Sequence, residues 1–210
     1  IEYHPTEVFD FPVGTVLIKN FYYDDVQLIN QKGLIIETRL LIKKASEWLA
    51  LPYIWNSEQT DAILEITGGV QEISLLGKKP IYYQIPNMGQ CKGCHQRNGT
   101  LQPIGPTARQ LSRNHIDDRA DSINQLRRLS RLGLLNVSEK EVFPKLSVWN
   151  DPKTGSLDER ARAYLEMNCA HCHRKEGPAK NSGLYLMSSS KSRHALGIMK
   201  APVAAGSGSG

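Results

Sequence analysis

The chain has 210 residues and is 40% hydrophobic, enough for one large or two small packed domains. No run approaches the roughly 18 apolar residues of a membrane-spanning helix. The net charge of +5 is uneven, at −4 over residues 1–90 and +9 over residues 91–210. With no nucleic-acid motif beside it, the basic half points to an acidic protein partner or to a solvated face.

From Phe11 to Ile85 the pattern is that of β-structure. Ile36, Thr38, Leu40 and Ile42 alternate with Glu37, Arg39 and Lys43, while Leu41 breaks the pattern, which predicts a strand with one buried face. Ala62, Leu64 and Ile66 keep the same period, as do Ile81, Tyr83 and Ile85. Further strands are expected at Thr15–Phe21, Trp48–Trp55 and Val70–Leu75. Turns fall at Gln31-Lys32-Gly33, Asn56-Ser57, Gly68-Gly69 and Gly77 to Pro80. Six short strands with tight connections suggest an antiparallel sandwich or open barrel, with no catalytic constellation in it. Trp48, Tyr53 and Trp55 read as core packing rather than a ligand platform.

After Pro86-Asn87-Met88-Gly89 the pattern changes, and Cys91-Lys92-Gly93-Cys94-His95 comes at once. Gln102-Pro103-Ile104-Gly105-Pro106 is a stiff connector, and Pro106 suits the first turn of a helix reaching Arg113. Ser122-Ile123-Asn124-Gln125 reads as a capping box for a second helix through Leu126, Leu129 and Leu132, stopped by Gly133. Residues 136–155 form a connector. Ser156-Leu157-Asp158-Glu159 is another capping box, opening an amphipathic helix that runs into Cys169-Ala170-His171-Cys172-His173. The tail 204–210 is Gly/Ser-rich, and a chain cut short is expected because no C-terminal helix closes the last module.

The two Cys-x-x-Cys-His runs use all four cysteines of the chain. In this pattern two thiols become thioethers to the haem vinyl groups and the next residue supplies an iron ligand. The two intervening residues let both sulfurs reach one porphyrin edge. Zinc built from four thiolates needs no trailing His, and its pairs usually lie roughly 15 to 20 residues apart, whereas 74 residues separate these pairs. A disulfide framework suits a shorter chain with a poorer core. The expectation is two covalently bound haem c groups, on Cys91, Cys94 and His95 and on Cys169, Cys172 and His173.

A second iron ligand decides between electron transfer and an open, reactive haem. Met187 and Met199 lie downstream of the second motif, where a distal ligand to that iron would arise, and His115 stands twenty positions beyond the first motif. Met88 and Met167 lie close before their motifs and are expected beside their haems. His171 points away from its own iron, and His4 and His194 complete the candidates.

These motifs sit in a wider resemblance. The chain resembles a family of secreted bacterial dihaem c-type cytochromes, many of them lipoproteins, whose specific role is unknown. The likeness rests on Phe11-Pro12-Val13-Gly14-Thr15, Ile36 to Leu41, Tyr53-Ile54-Trp55, Tyr83-Gln84-Ile85-Pro86, Gln90 to His95, Asn124-Gln125-Leu126, and Asn168 to His173 with Ser182-Gly183-Leu184. It implies electron transfer, and members look as if they continue to a Met-Pro segment that supplies a distal Met.

The expected fold is α+β, an antiparallel β domain (1–86) followed by a mostly helical dihaem module in two segments, 87–155 and 156–210. The expected function is single-electron transfer between redox partners outside the cytoplasm, since a c-type haem is attached there in bacteria. A leader removed from the chain, a periplasmic or extracellular location and a lipid anchor beyond this stretch go with it. The alternatives are a dihaem peroxidase with one open iron and the electron-accepting subunit of a larger dehydrogenase or membrane complex; the β domain is expected to position the haems against a partner or against copies of itself in an assembly.

Overall fold

The structure is a computed structural model that describes residues 1–28, 31–74, 79–116 and 122–203, with side chains described outside 24–32 and 115–121. Among these, no helix is long and apolar enough to cross a membrane. The tail 204–210 and the expected strand end and turn at Leu75 and Gly77 lie outside the described residues. The chain divides into two compact units, Val13–Cys94 and a second made of Ile1–Pro12 with His95–Gly210.

The first unit is built on an open antiparallel sheet in the order β1-β2-β3-β4, with β1 Val16–Leu28, β2 Gln31–Lys43, β3 Trp48–Trp55 and β4 Ala62–Leu64. A two-stranded ribbon, β5 Gly69–Ile73 and β6 Ile81–Ile85, completes it. Ile36 and Ile73 are buried against each other, with Leu34, Tyr23, Ile81 and Tyr83 around them. Trp48 is buried and the Trp55 indole donates to Thr38 Oγ1 at 2.8 Å, so this aromatic cluster is packing.

One strand departs from simple alternation. Between Phe21↔Glu37 and Tyr22↔Ile35 the register of β1 and β2 shifts, so Ile36 is an extra residue without a partner. Such a bulge re-aims the side chains around it. Consecutive residues Ile36 and Glu37 are accordingly both buried, at 1% and 0% exposure; Tyr83 packs against the cluster that holds Ile36, and its hydroxyl donates to Glu37. A strict period of two would put the pair on opposite faces, and the bulge overrides it.

The second unit corrects a larger expectation. The mostly helical dihaem module is not what the chain forms: the protein is mainly antiparallel sheet, and α-helix among the described residues is confined to α1 Met88–His95, α2 Ala108–Leu111, α3 Gln125–Arg131 and α4 Leu157–Asn168. The physical reason is visible in the sequence between them. Pro144, Pro152 and Gly155 interrupt 136–155, while Gly177-Pro178, Gly183, Ser188 to Ser190 and Gly197 interrupt the stretch after α4. There the backbone pairs turn by turn instead, as in Ala179 N–H to Cys172 C=O, Leu186 N–H to His173 C=O and Tyr185 N–H to Ala195 C=O.

Two helix starts move for similar reasons. Thr107 caps α2, accepting from Gln110 N–H, so Pro106 lies before the helix rather than in its first turn, and the helix ends after one turn at Leu111 instead of reaching Arg113. Ser122–Asn124 forms a strand, paired with another at Asn114–Ile116, and Asn124 caps α3 by accepting from Leu126 and Arg127 N–H. Asn caps a helix as well as Ser does, so a ladder that occupies Ser122 leaves the cap to its neighbour. Among the described helices of this unit, α4 combines an unbroken run of helix formers with a reciprocal cap, in which Ser156 and Glu159 bond each other's backbone N–H. The buried hydrophobic residues described in this unit include Ala108, Ala163 and Ala170 together with Phe9, Phe11, Leu101, Leu126, Leu135 and Leu186. Residues 1–12 belong to this unit through bridges from Glu2 to Asn136 and from Val8 to Thr107.

Candidate haem-attachment sites

The first motif is carried by α1. Asn87 and Gln90 form a reciprocal cap, each side-chain oxygen accepting from the other's backbone N–H at 2.8 and 2.9 Å. The helix therefore begins at Met88, which puts Cys91, Cys94 and His95 three and four positions apart on one face. Cys91 is buried and Cys94 exposed. Burial pushes the Cys91 thiol above its usual range, opposed by Arg39 and reinforced by Glu37 and Cys94.

The residues just past His95 fix the state of its ring. The short strands Gln96–Arg97 and Thr100–Leu101 make a hairpin whose turn is Asn98-Gly99, with φ of 48° and 81°. Two consecutive positive φ values define the tight hairpin turn that Asn-Gly favours. The turn returns the chain so that Gln102 N–H donates to His95 C=O at 2.7 Å and Gln102 C=O lies 2.9 Å from His95 Nδ1. A carbonyl only accepts, so Nδ1 carries the proton and the lone pair is on Nε2.

The second motif reaches the same state by a different route. Cys169 caps α4, and the next turn is closed by Cys172 and His173 N–H donating to Cys169 C=O at 3.1 and 2.9 Å. The chain then folds back so tightly that a Cβ on Gly177 would stand 2.3 Å from Cys172 O, which only glycine permits. That return brings Ser182 Oγ to 3.0 Å from His173 Nδ1. The hydroxyl spends its one proton on Ala179 C=O at 2.7 Å and also accepts from Leu184 N–H at 3.2 Å. It can therefore only accept from His173, whose Nδ1 is protonated and whose lone pair is on Nε2.

No disulfide joins any of the four cysteines. Between them in the second motif, His171 Nδ1 is buried with no hydrogen-bond partner among the described residues, and burial, then the charge of His173, lowers its pKa. Of the distal candidates, Met199 is 96% exposed at a positive φ, and the Met187 sulfur receives Arg174 Nη1 at 3.7 Å. His115 lies in the strand Asn114–Ile116 with its side chain outside the described set. His4 Nδ1 accepts from Glu7 N–H at 2.9 Å in an N-terminal turn, Met167 is half-exposed on α4, Met88 is half-buried at the start of α1, and His194 is exposed.

Sequence reasoning missed the two groups that orient the histidines. Gln102 was legible, since Asn98-Gly99 just past the first motif is a hairpin signal that brings the chain back on itself. Ser182 had no comparable signal, because the fold-back through Gly177 depends on packing. No protein-family model, curated protein or solved structure matches the chain.

The donor set fits iron porphyrin. A histidine that serves a metal through Nε2 ordinarily donates Nδ1–H to a carbonyl or another fixed acceptor, which holds the ring and raises its basicity. Both histidines have this arrangement, and each directly follows a Cys-x-x-Cys pair.

Proposed function

We propose that the chain is a dihaem c-type cytochrome that passes single electrons between redox partners outside the cytoplasm. The observation that carries this reading is the matched state of His95 and His173: each Nδ1–H is given to an acceptor that cannot donate, and each lone pair is on Nε2. Cys91 and Cys94 would hold one porphyrin and Cys169 and Cys172 the other, with His95 and His173 as proximal ligands. When bound, the haems supply one-electron chemistry. The chain's own residues orient the imidazoles, raise their basicity through Gln102 and Ser182, and shape the surroundings.

Several features support the same reading. The burial of small side chains in the second unit, Ala108, Ala163 and Ala170, is consistent with a unit that a large apolar group would complete. The resemblance to secreted bacterial dihaem cytochromes agrees with it. The reading carries with it a periplasmic or extracellular location, an acidic protein partner attracted by the basic second half, and a lipid anchor outside this stretch. Redox titration of matured protein, followed optically, tests it. Two one-electron steps with low-spin spectra are expected, and one open high-spin haem that turns over hydrogen peroxide would transfer the chain to the peroxidases.

A further inference from the structure

One ion network in the second unit joins the two motifs without belonging to either. Arg97 stands two residues past His95, and Arg174 comes directly after His173. Both bind the same carboxylate: Arg97 Nη1 lies 2.8 Å from Glu7 Oε2, and Arg174 Nη2 lies 3.1 Å from both Glu7 oxygens. Arg174 also gives Nε–H to Glu176 Oε2 at 2.8 Å. Glu176 C=O in turn accepts from Asn98 N–H, in the hairpin turn behind His95, at 3.0 Å. Two cations and two anions thus close a ring that runs from one proximal histidine to the other.

Glu7 is not a passing surface acid. Its backbone N–H is held by His4 Nδ1, the next residue bridges Thr107, and buried Phe9 donates its N–H to Pro106 C=O. The carboxylate is 28% exposed and Arg174 only 13%, so the charge-assisted bonds are sheltered from water on one side. A planar guanidinium sharing both oxygens of one carboxylate fixes orientation as well as distance.

We propose that Glu7 is a positioning residue for electron exchange between the two haems, its carboxylate clasping the segment behind His95 to the segment behind His173. This inference rests on the dihaem reading above. It assigns the N-terminal residues a task that neither motif contains: holding one proximal ligand against the other so that an electron moves within the molecule at a fixed separation.

The test uses haem-loaded Glu7→Ala and Glu7→Gln, with exposed Glu139→Ala as the control. Electron equilibration between the haems after flash reduction is measured beside the haem count and the hydrogen exchange of the Asn98 amide. Both Glu7 variants are expected to retain two haems with unchanged individual spectra. Their Asn98 exchange should quicken about tenfold, the loss of one charge-assisted contact, and equilibration between the haems should slow at least about threefold, while Glu139→Ala matches the parent. Should Glu7→Ala fail to mature, Glu7→Gln decides by the same readings. Two haems with equilibration and exchange unchanged overturn the clasp and leave the dihaem reading intact. A parent protein without haem overturns both.

Discussion

Ser182→Ala removes the hydroxyl that accepts from His173 Nδ1, and the structure sets the size of the effect. Ser182 Oγ makes three bonds: it accepts from His173 Nδ1 and Leu184 N–H and donates to Ala179 C=O. At about 1 kcal/mol net for each, reduced because the site is half-buried and water can replace part of the loss, the polypeptide should lose about 1.5–3 kcal/mol of stability. The haem effect is separate. In the proposed haem form an imidazole without its acceptor would be a weaker base and would stabilise ferric iron less, relative to ferrous, than the parent does. A three- to tenfold change in relative stability corresponds to a rise of about 30–60 mV in that haem's midpoint potential. Optical redox titration of the two haems is the assay. The second potential should rise and the first, whose histidine donates to Gln102 C=O, should stay, with Ser182→Thr restoring the parent value. A variant that shifts both potentials equally, or neither, refutes the action of Ser182 through His173.

Other consequences are open to simpler measurements. Glu37 is wholly buried between Arg39, bound through two nitrogens, and the Tyr83 hydroxyl at 3.0 Å. Glu37→Gln should therefore cost about 2–4 kcal/mol in urea unfolding, since Arg39 is left half-buried without its anion; a loss under about 0.5 kcal/mol would contradict the buried network. Burial, with Glu37 beside it, pushes Tyr83 up to about 12. In the unfolded chain this phenol ionises near about 10, so the unfolded state releases its proton first and stability should fall as pH rises from about 10 to 12, with one tyrosine late in the phenolate titration. Gly177→Ala forces a methyl into Cys172 O, and intact mass should show protein lacking the second haem while the first remains. Gly99→Ala at φ 81° should cost about 1–2 kcal/mol and loosen His95 from Gln102, read as a broadened first-haem spectrum.

The runs Cys91 to His95 and Cys169 to His173 stand out in the sequence because their spacing is local, and the haem attachment proposed for them rests on that spacing, independent of what packs around them. The helix α4 was legible because Ser156 and Glu159 cap it reciprocally within four residues. The burial of Glu37 was not legible because a bulge at Ile36 changes the side-chain period, and a bulge depends on the partner strand. The helical second half was overestimated because capping signals were read where a ladder took the residues, as at Ser122, and because Gly, Pro and Ser runs close turns rather than helices. Ser182 and Glu7 act across folds of the chain, so no local window held their roles.

Every role proposed for this protein requires two porphyrins joined to the polypeptide through four sulfurs. Intact-mass analysis of protein matured outside the cytoplasm, repeated on the Cys91→Ser/Cys94→Ser and Cys169→Ser/Cys172→Ser variants, decides whether they are there. The added mass of two haems is expected on the parent and of one on each variant. A bare polypeptide mass on the parent, or a variant that keeps both haems, would contradict the assignment.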